Sequence, residues 1–101
     1  MVIYDFNVKN QYIIETSKEI IFQSYDSLMF SYNILDKTLY FNTCEDNYTK
    51  TTCKYLKLAL EYLESNIDDV FGSKKILELI DCKNRKQFIL SLPKGVLSLY
   101  D

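Results

Sequence analysis

Over its first 43 residues the chain alternates β-branched and aromatic positions with polar ones in short runs, which is the pattern of successive strands. The runs predict strands at Val2–Val8, Tyr12–Thr16, Glu19–Ser24, Leu28–Leu35 and Thr38–Thr43. Lys9-Asn10, Ser17-Lys18 and Asp36-Lys37 interrupt them, and the last, set between Asn-Ile-Leu and Thr-Leu-Tyr-Phe, is the clearest hairpin turn. Leu39 and Phe41 alternate with Thr38, Tyr40 and Asn42, so one sheet face is buried and the other partly wet. No helical pattern separates the runs; parallel crossovers are therefore disfavoured and the sheet is expected to be antiparallel.

From Thr49 the period lengthens. Cys53, Leu56, Ala59, Leu60 and Leu63 form one helical stripe, opposite Lys50, Lys54, Lys57, Glu61 and Glu64. This predicts a helix over Thr49–Glu64, with Thr49 as N-cap and Ser65-Asn66 as its end. A second, short helix is expected after Phe71-Gly72, with Ser73 as N-cap and Ile76, Leu77 and Ile80 buried. Asn84–Leu92 reads as a third helix, with a strand over Gln87–Leu92 as the alternative; Pro93 and Gly95 end either one. The fold class is α+β: an N-terminal antiparallel sheet of about four to five strands, packed on one face by a long helix, then one or two short helices.

At 101 residues, one domain over residues 1–101 is the expectation. The 48% hydrophobic content with only two Gly and one Pro argues against a disordered chain. No run of about 18 apolar residues is present to span a membrane, and the N-terminus lacks a charged segment followed by an apolar one. A cytoplasmic location, inside a host cell, is expected. A formal charge of −2 gives no global positive field, so nucleic-acid contact would need a local patch.

Histidine is absent, which removes the commonest general base and leaves little from which to build a zinc site. Cys44, Cys53 and Cys82 contain no Cys-x-x-Cys spacing and are expected to be reduced thiols, with Cys53 in the core. No metal, cofactor or catalytic residue is expected.

Two stretches carry a resemblance. Ser24-Tyr25-Asp26-Ser27 enters a strand, and Tyr48-Thr49-Lys50-Thr51-Thr52 opens the long helix after a hairpin. Together they resemble a widespread family of small uncharacterised phage and mobile-element proteins, with the pattern Ser-Tyr-Asn-Thr, a hairpin, then Tyr-Ser-x-Thr-Thr-x-x-His on a helix. The resemblance covers about residues 18 to 64. Asp26 stands where that pattern has Asn, Thr49 where it has Ser, and Tyr55 where it has His, so no role of that imidazole carries over. The resemblance implies a phage-related origin and no known activity.

Lys50 and Lys54 lie at the start of the long helix, and Glu61 and Glu64 toward its end, the reverse of what the helix dipole prefers. One account is an anion held by the free N–H groups, the hydroxyls of Thr49, Thr51 and Thr52, and the ammonium groups of Lys50 and Lys54. The plainer account is capping hydroxyls and solvated lysines. Lys83, Arg85 and Lys86, with Lys74 and Lys75 upstream, are a second basic cluster, fit for phosphates or an acidic surface or simply a solvated turn.

Glu45-Asp46 and Asp68-Asp69 are paired acids. As metal ligands they lack any Asp-x-Asp-x-Asp-Gly loop; as protein-binding groups they offer carboxylates where a partner binds phosphates. Tyr25, Tyr32 and Tyr40 are candidates for exposure on the sheet. The leading expectation is a non-enzymatic phage or mobile-element accessory protein that binds a host protein, including an anti-CRISPR-like inhibitor of a nucleic-acid-targeting defence nuclease. The alternative is a nucleic-acid-binding regulator using the basic residues. A homodimer through a sheet edge is also open to it, because an open sheet leaves two edges.

Overall fold

The computed structural model describes residues 1–100. Among them the chain forms a six-stranded antiparallel sheet in sequence order: β1 (Val2–Tyr4), β2 (Gln11–Glu15), β3 (Glu19–Ser24), β4 (Ser27–Asn33), β5 (Thr38–Phe41) and β6 (Val96–Ser98). Between β5 and β6 lie three helices, α1 (Lys50–Ser65), α2 (Val70–Asp81) and α3 (Arg85–Ser91), with short 3-10 turns at Glu45–Asn47 and Pro93–Gly95. The class is α+β, with a sixth strand beyond the predicted set. The Asn84–Leu92 segment is a helix, not a strand.

Cross-strand registry explains the core. Ile13, Phe22, Phe30 and Phe41 stand opposite one another across β2 to β5, and all four are buried. The Phe22 and Phe30 rings lie 5.8 Å apart and those of Phe30 and Phe41 6.2 Å, within the range of favourable aromatic pairs. This row and the buried α1 residues Leu56, Ala59, Leu60 and Leu63 belong to one core cluster. The β3–β4 pairing shifts after Phe22, placing Gln23 opposite Leu28 and leaving Met29 as a bulged, fully buried residue.

Several predicted boundaries move, each for a local reason. β1 stops at Tyr4, well short of Val8, because Phe6 and Asn7 adopt positive φ and Asp5 Oδ1 accepts the Asn7 N–H at 2.9 Å. Phe6 turns back onto Phe22 and Tyr55. β4 ends at Asn33 because its side chain accepts the Asp36 N–H and its carbonyl the Lys37 N–H, leaving Ile34 and Leu35 exposed in the turn. β5 ends at Phe41, and Asn42 Oδ1 accepts the Cys44 N–H beyond it.

In α2 the start lies three residues before the predicted Ser73 cap. Asp69 is the N-cap, accepting the Phe71 N–H at 2.8 Å, and Gly72, Ile76, Leu79 and Ile80 are buried, while Leu77, expected to be buried, is exposed. Gly72 is buried because Tyr100 lies over it; a Cβ there would sit 2.6 Å from the Tyr100 hydroxyl. Gly95, at φ +68°, lets the chain turn into β6 against β5, where a Cβ would meet the Phe41 carbonyl at 2.5 Å.

All three helices share one side of the sheet. The other side carries the alternate positions, Ile3, Ile14, Ile21, Ser31, Tyr40 and Val96, aligned across all six strands, of which Ile3 and Tyr40 are exposed and Ser31 is buried. Tyr40 is thus exposed as expected, whereas Tyr32 points inward and is buried. No helix is long and apolar enough to cross a membrane, among the described residues.

Candidate functional site

The two stretches that carry the family resemblance meet in space. Ser24 Oγ, at the end of β3, lies 2.9 Å from Thr52 Oγ1 in the first turn of α1, and both residues are buried. Thr49 Oγ1 accepts the Thr52 N–H at 3.2 Å, as the predicted N-cap, and donates to Thr52 Oγ1 at 3.0 Å. Gln11, paired with Ser24, is buried alongside with no protein partner for its amide. Tyr25 stands at the adjacent turn with positive φ, its N–H bonded to the Asn10 carbonyl and its side chain exposed.

This arrangement spends the hydroxyls of Thr49 and Thr52 on the fold. Of the residues considered for an anion site, Lys50 and Thr51 remain exposed, and the Lys54 ammonium lies 5.4 Å from the Tyr55 ring centre. The predicted core thiol Cys53 is only half-buried, its sulfur 3.7 Å from the Tyr48 carbonyl; Cys44 and Cys82 are free as well.

The basic cluster after α2 is partly committed. Arg85 donates through Nε to the Leu79 carbonyl at 2.9 Å and through Nη2 to that of Ile80, closing the end of α2. Lys86 Nζ lies 3.8 Å from Glu45 Oε1, so a predicted basic patch and a predicted acidic one adjoin. Lys83, Arg85 and Lys86 do line a common groove of about 310 Å³ with Cys53 and Leu56. Lys75, further up α2, donates to the Ser98 carbonyl at 2.8 Å.

The four acids do not form one surface. Glu45 and Asp46 precede α1 and Asp68 and Asp69 follow it, and the 16-residue helix between them is about 24 Å long. Asp69 also serves as the α2 cap.

Around Asp68 and Asp69 the structure assembles what the sequence pattern missed. At the end of α1, Asn66 Nδ2 and Ser65 Oγ both donate to the Tyr62 carbonyl at 2.8 Å, and only residues 66–69 separate it from α2. The junction presents Val70 and Phe71 outward, 80% and 74% exposed. Leu77, two turns beyond Val70, continues the apolar strip. The outer face of α2 thus carries Val70, Phe71 and Leu77 among the exposed Lys74, Glu78 and Asp81, and full burial of such an apolar side chain is worth about 1.5–3 kcal/mol.

Shallow grooves flank this ridge. One of about 410 Å³ is lined by Ile67, Asp68, Asp69, Val70, Ser73, Lys74 and Leu77. Another, about 380 Å³, runs on the other side between Asp68–Asp69 and Ile20, Tyr32, Ile34, Lys37 and Tyr100. Burial, then the hydrogen bond with Tyr100, pushes the Tyr32 phenol far above its ordinary pKa, so it stays neutral here. The Lys37 ammonium lies 4.6 Å from the Tyr100 ring centre. The signal was present in the sequence: Val70 and Leu77 are seven residues apart, opposite Gly72 and Leu79.

Among the described residues, no group of three or more His, Cys, Asp or Glu is disposed to hold a metal ion. Compared with family models, curated proteins and solved structures, the chain matches none.

Proposed function

We propose that this chain is a non-enzymatic accessory protein of phage or mobile-element origin that binds a host protein through the α1–α2 ridge. The observation that carries the reading is the adjacent pair Val70 and Phe71, held outward on a capped helix start beside the exposed carboxylate of Asp68. Exposed aromatic anchors bordered by charge are the composition of binding hot spots. The carboxylate specifies the partner's surface as an apolar pocket with a basic rim. A defence nuclease, whose nucleic-acid channel is basic, fits that description; this finer identification rests on the resemblance and on the chain's net acidity.

The acids act in this reading as two separate groups. Asp68 and Asp69 belong to the ridge, whereas Glu45 and Asp46 lie at the far end of α1 with Glu45 paired to Lys86. A second reading, nucleic-acid binding, is favoured only by the groove that gathers Lys83, Arg85 and Lys86.

The test is a pull-down from host lysate, with and without nuclease, comparing the natural chain with Val70→Ser/Phe71→Ser and with Lys83→Ala/Lys86→Ala. One stoichiometric host protein, retained after nuclease and bound about tenfold or more weakly by the ridge variant, is the expected result. Recovery of nucleic acid that depends on Lys83 and Lys86 would replace it with the second reading.

A further inference from the structure

Beneath the first turn of α1 lies a polar cluster whose hydrogen bonds the protein alone does not complete. Gln11 opens β2 and stands opposite Ser24 at the end of β3, so both side chains leave the sheet on the helix-covered side, with Cβ atoms about 4.5–5.5 Å apart. Gln11 is 1% exposed, and Ser24 and Thr52 are 2% exposed. Nε2 and Oε1 of the Gln11 carboxamide both lack a hydrogen-bond partner in the protein; among the described residues no other buried side-chain nitrogen or oxygen does. Buried polar groups in folded proteins are almost always paired, with protein or with ordered water, because an unpaired one has lost its solvation for nothing.

The hydroxyls beside the amide form a chain with a direction. Thr49 Oγ1 donates to Thr52 Oγ1 at 3.0 Å, which leaves Thr52 its own proton for Ser24 Oγ at 2.9 Å. The Ser24 proton is then free to point onward, and the cross-strand neighbour of Ser24 is Gln11. Donor and acceptor are thus neighbours, yet no direct hydrogen bond joins them.

We infer that Gln11 and Ser24 together bind one internal water molecule, which ties β2 to the joint between β3 and the start of α1. The chemistry of the carboxamide selects this ligand. It presents a donor and an acceptor side by side, so its partner must both accept and donate; an anion cannot donate and a metal ion cannot accept a proton. Water accepts from Gln11 Nε2 and from the Ser24 hydroxyl and donates to Gln11 Oε1, about three bonds, the usual number for a buried water. Burial excludes larger solutes, and polar neighbours without direct contact are the arrangement that a bridging water completes. Lys50 and Lys54, considered above for an anion, lie on the exposed side of α1 and take no part.

A high-resolution crystal structure of the natural chain tests the inference. The expected result is one density peak at hydrogen-bonding distance, about 2.7–3.2 Å, from both the Gln11 amide and Ser24 Oγ in every copy of the chain. An ordered Gln11 with no such peak, or one bonded directly to a protein atom, overturns it. Gln11→Met, which removes the amide but keeps the length of the side chain, is expected to lose the peak. A peak that persists in that variant shows that Gln11 does not hold the water and overturns the inference too. If Gln11→Met misfolds, the density of the natural chain decides alone.

Discussion

Thr52 lies on the buried side of α1, yet it is polar, and its hydroxyl joins the helix start to the end of β3. Thr52→Val keeps the shape and leaves Ser24 buried without that partner, so a loss of about 1–3 kcal/mol is expected. In urea unfolding the midpoint should fall with the slope unchanged, while Thr51→Val, one residue away and exposed, should stay within about 0.5 kcal/mol. The tyrosines make a second prediction at this scale. Burial raises the phenol pKa of Tyr32, Tyr48 and Tyr62, with hydrogen bonds to Tyr100 and Glu15 adding to the effect at Tyr32 and Tyr62 respectively. The folded state therefore keeps protons that the unfolded chain releases above about pH 10. Their contribution to stability is complete below that pH and is lost as pH rises toward the folded values. A tyrosinate absorbance titration should show these phenols ionising together with unfolding, and Tyr48→Phe should make the alkaline loss of stability less steep.

At the scale of elements, legibility followed how local each determinant is. α1 was readable because its stripe, its Thr49 cap and its Ser65-Asn66 end all lie within the segment. The Ser17-Lys18 and Asp36-Lys37 turns were readable for the same reason. The start of α2 was not: Ser73 and Asp69 are both competent caps, and the choice depends on Gly72 being buried beneath Tyr100, a contact from the far end of the chain. β6 was missed because three residues after a Pro-Lys-Gly turn carry no alternation long enough to register, and its pairing with β5 is distant in sequence. The candidate ridge inherits the same difficulty. Asp68 and Asp69 stand out as charges, but Val70 and Phe71 become a surface only once Asp69 fixes where the helix begins.

For the whole molecule, the order of strands sets the order of loosening. β1 to β5 are joined by short turns, so their pairing is mostly local, whereas β6 returns to β5 only after the whole helical layer has been built. It is fastened there by three paired positions, the Lys75 contact and the close approach of Gly95 to Phe41. Such a seam behaves as a separable cooperative unit, opening at a free energy below that of global unfolding. In native-state amide hydrogen exchange, Val96–Ser98 and α3 should exchange together in low denaturant, while the centres of β2, β3 and β4 exchange only when the whole molecule unfolds. Equal protection in both regions would show the seam to be no weaker than the rest. When it does part, Leu39 and the open side of β5 meet water, and a protease or chaperone encounters the chain there first.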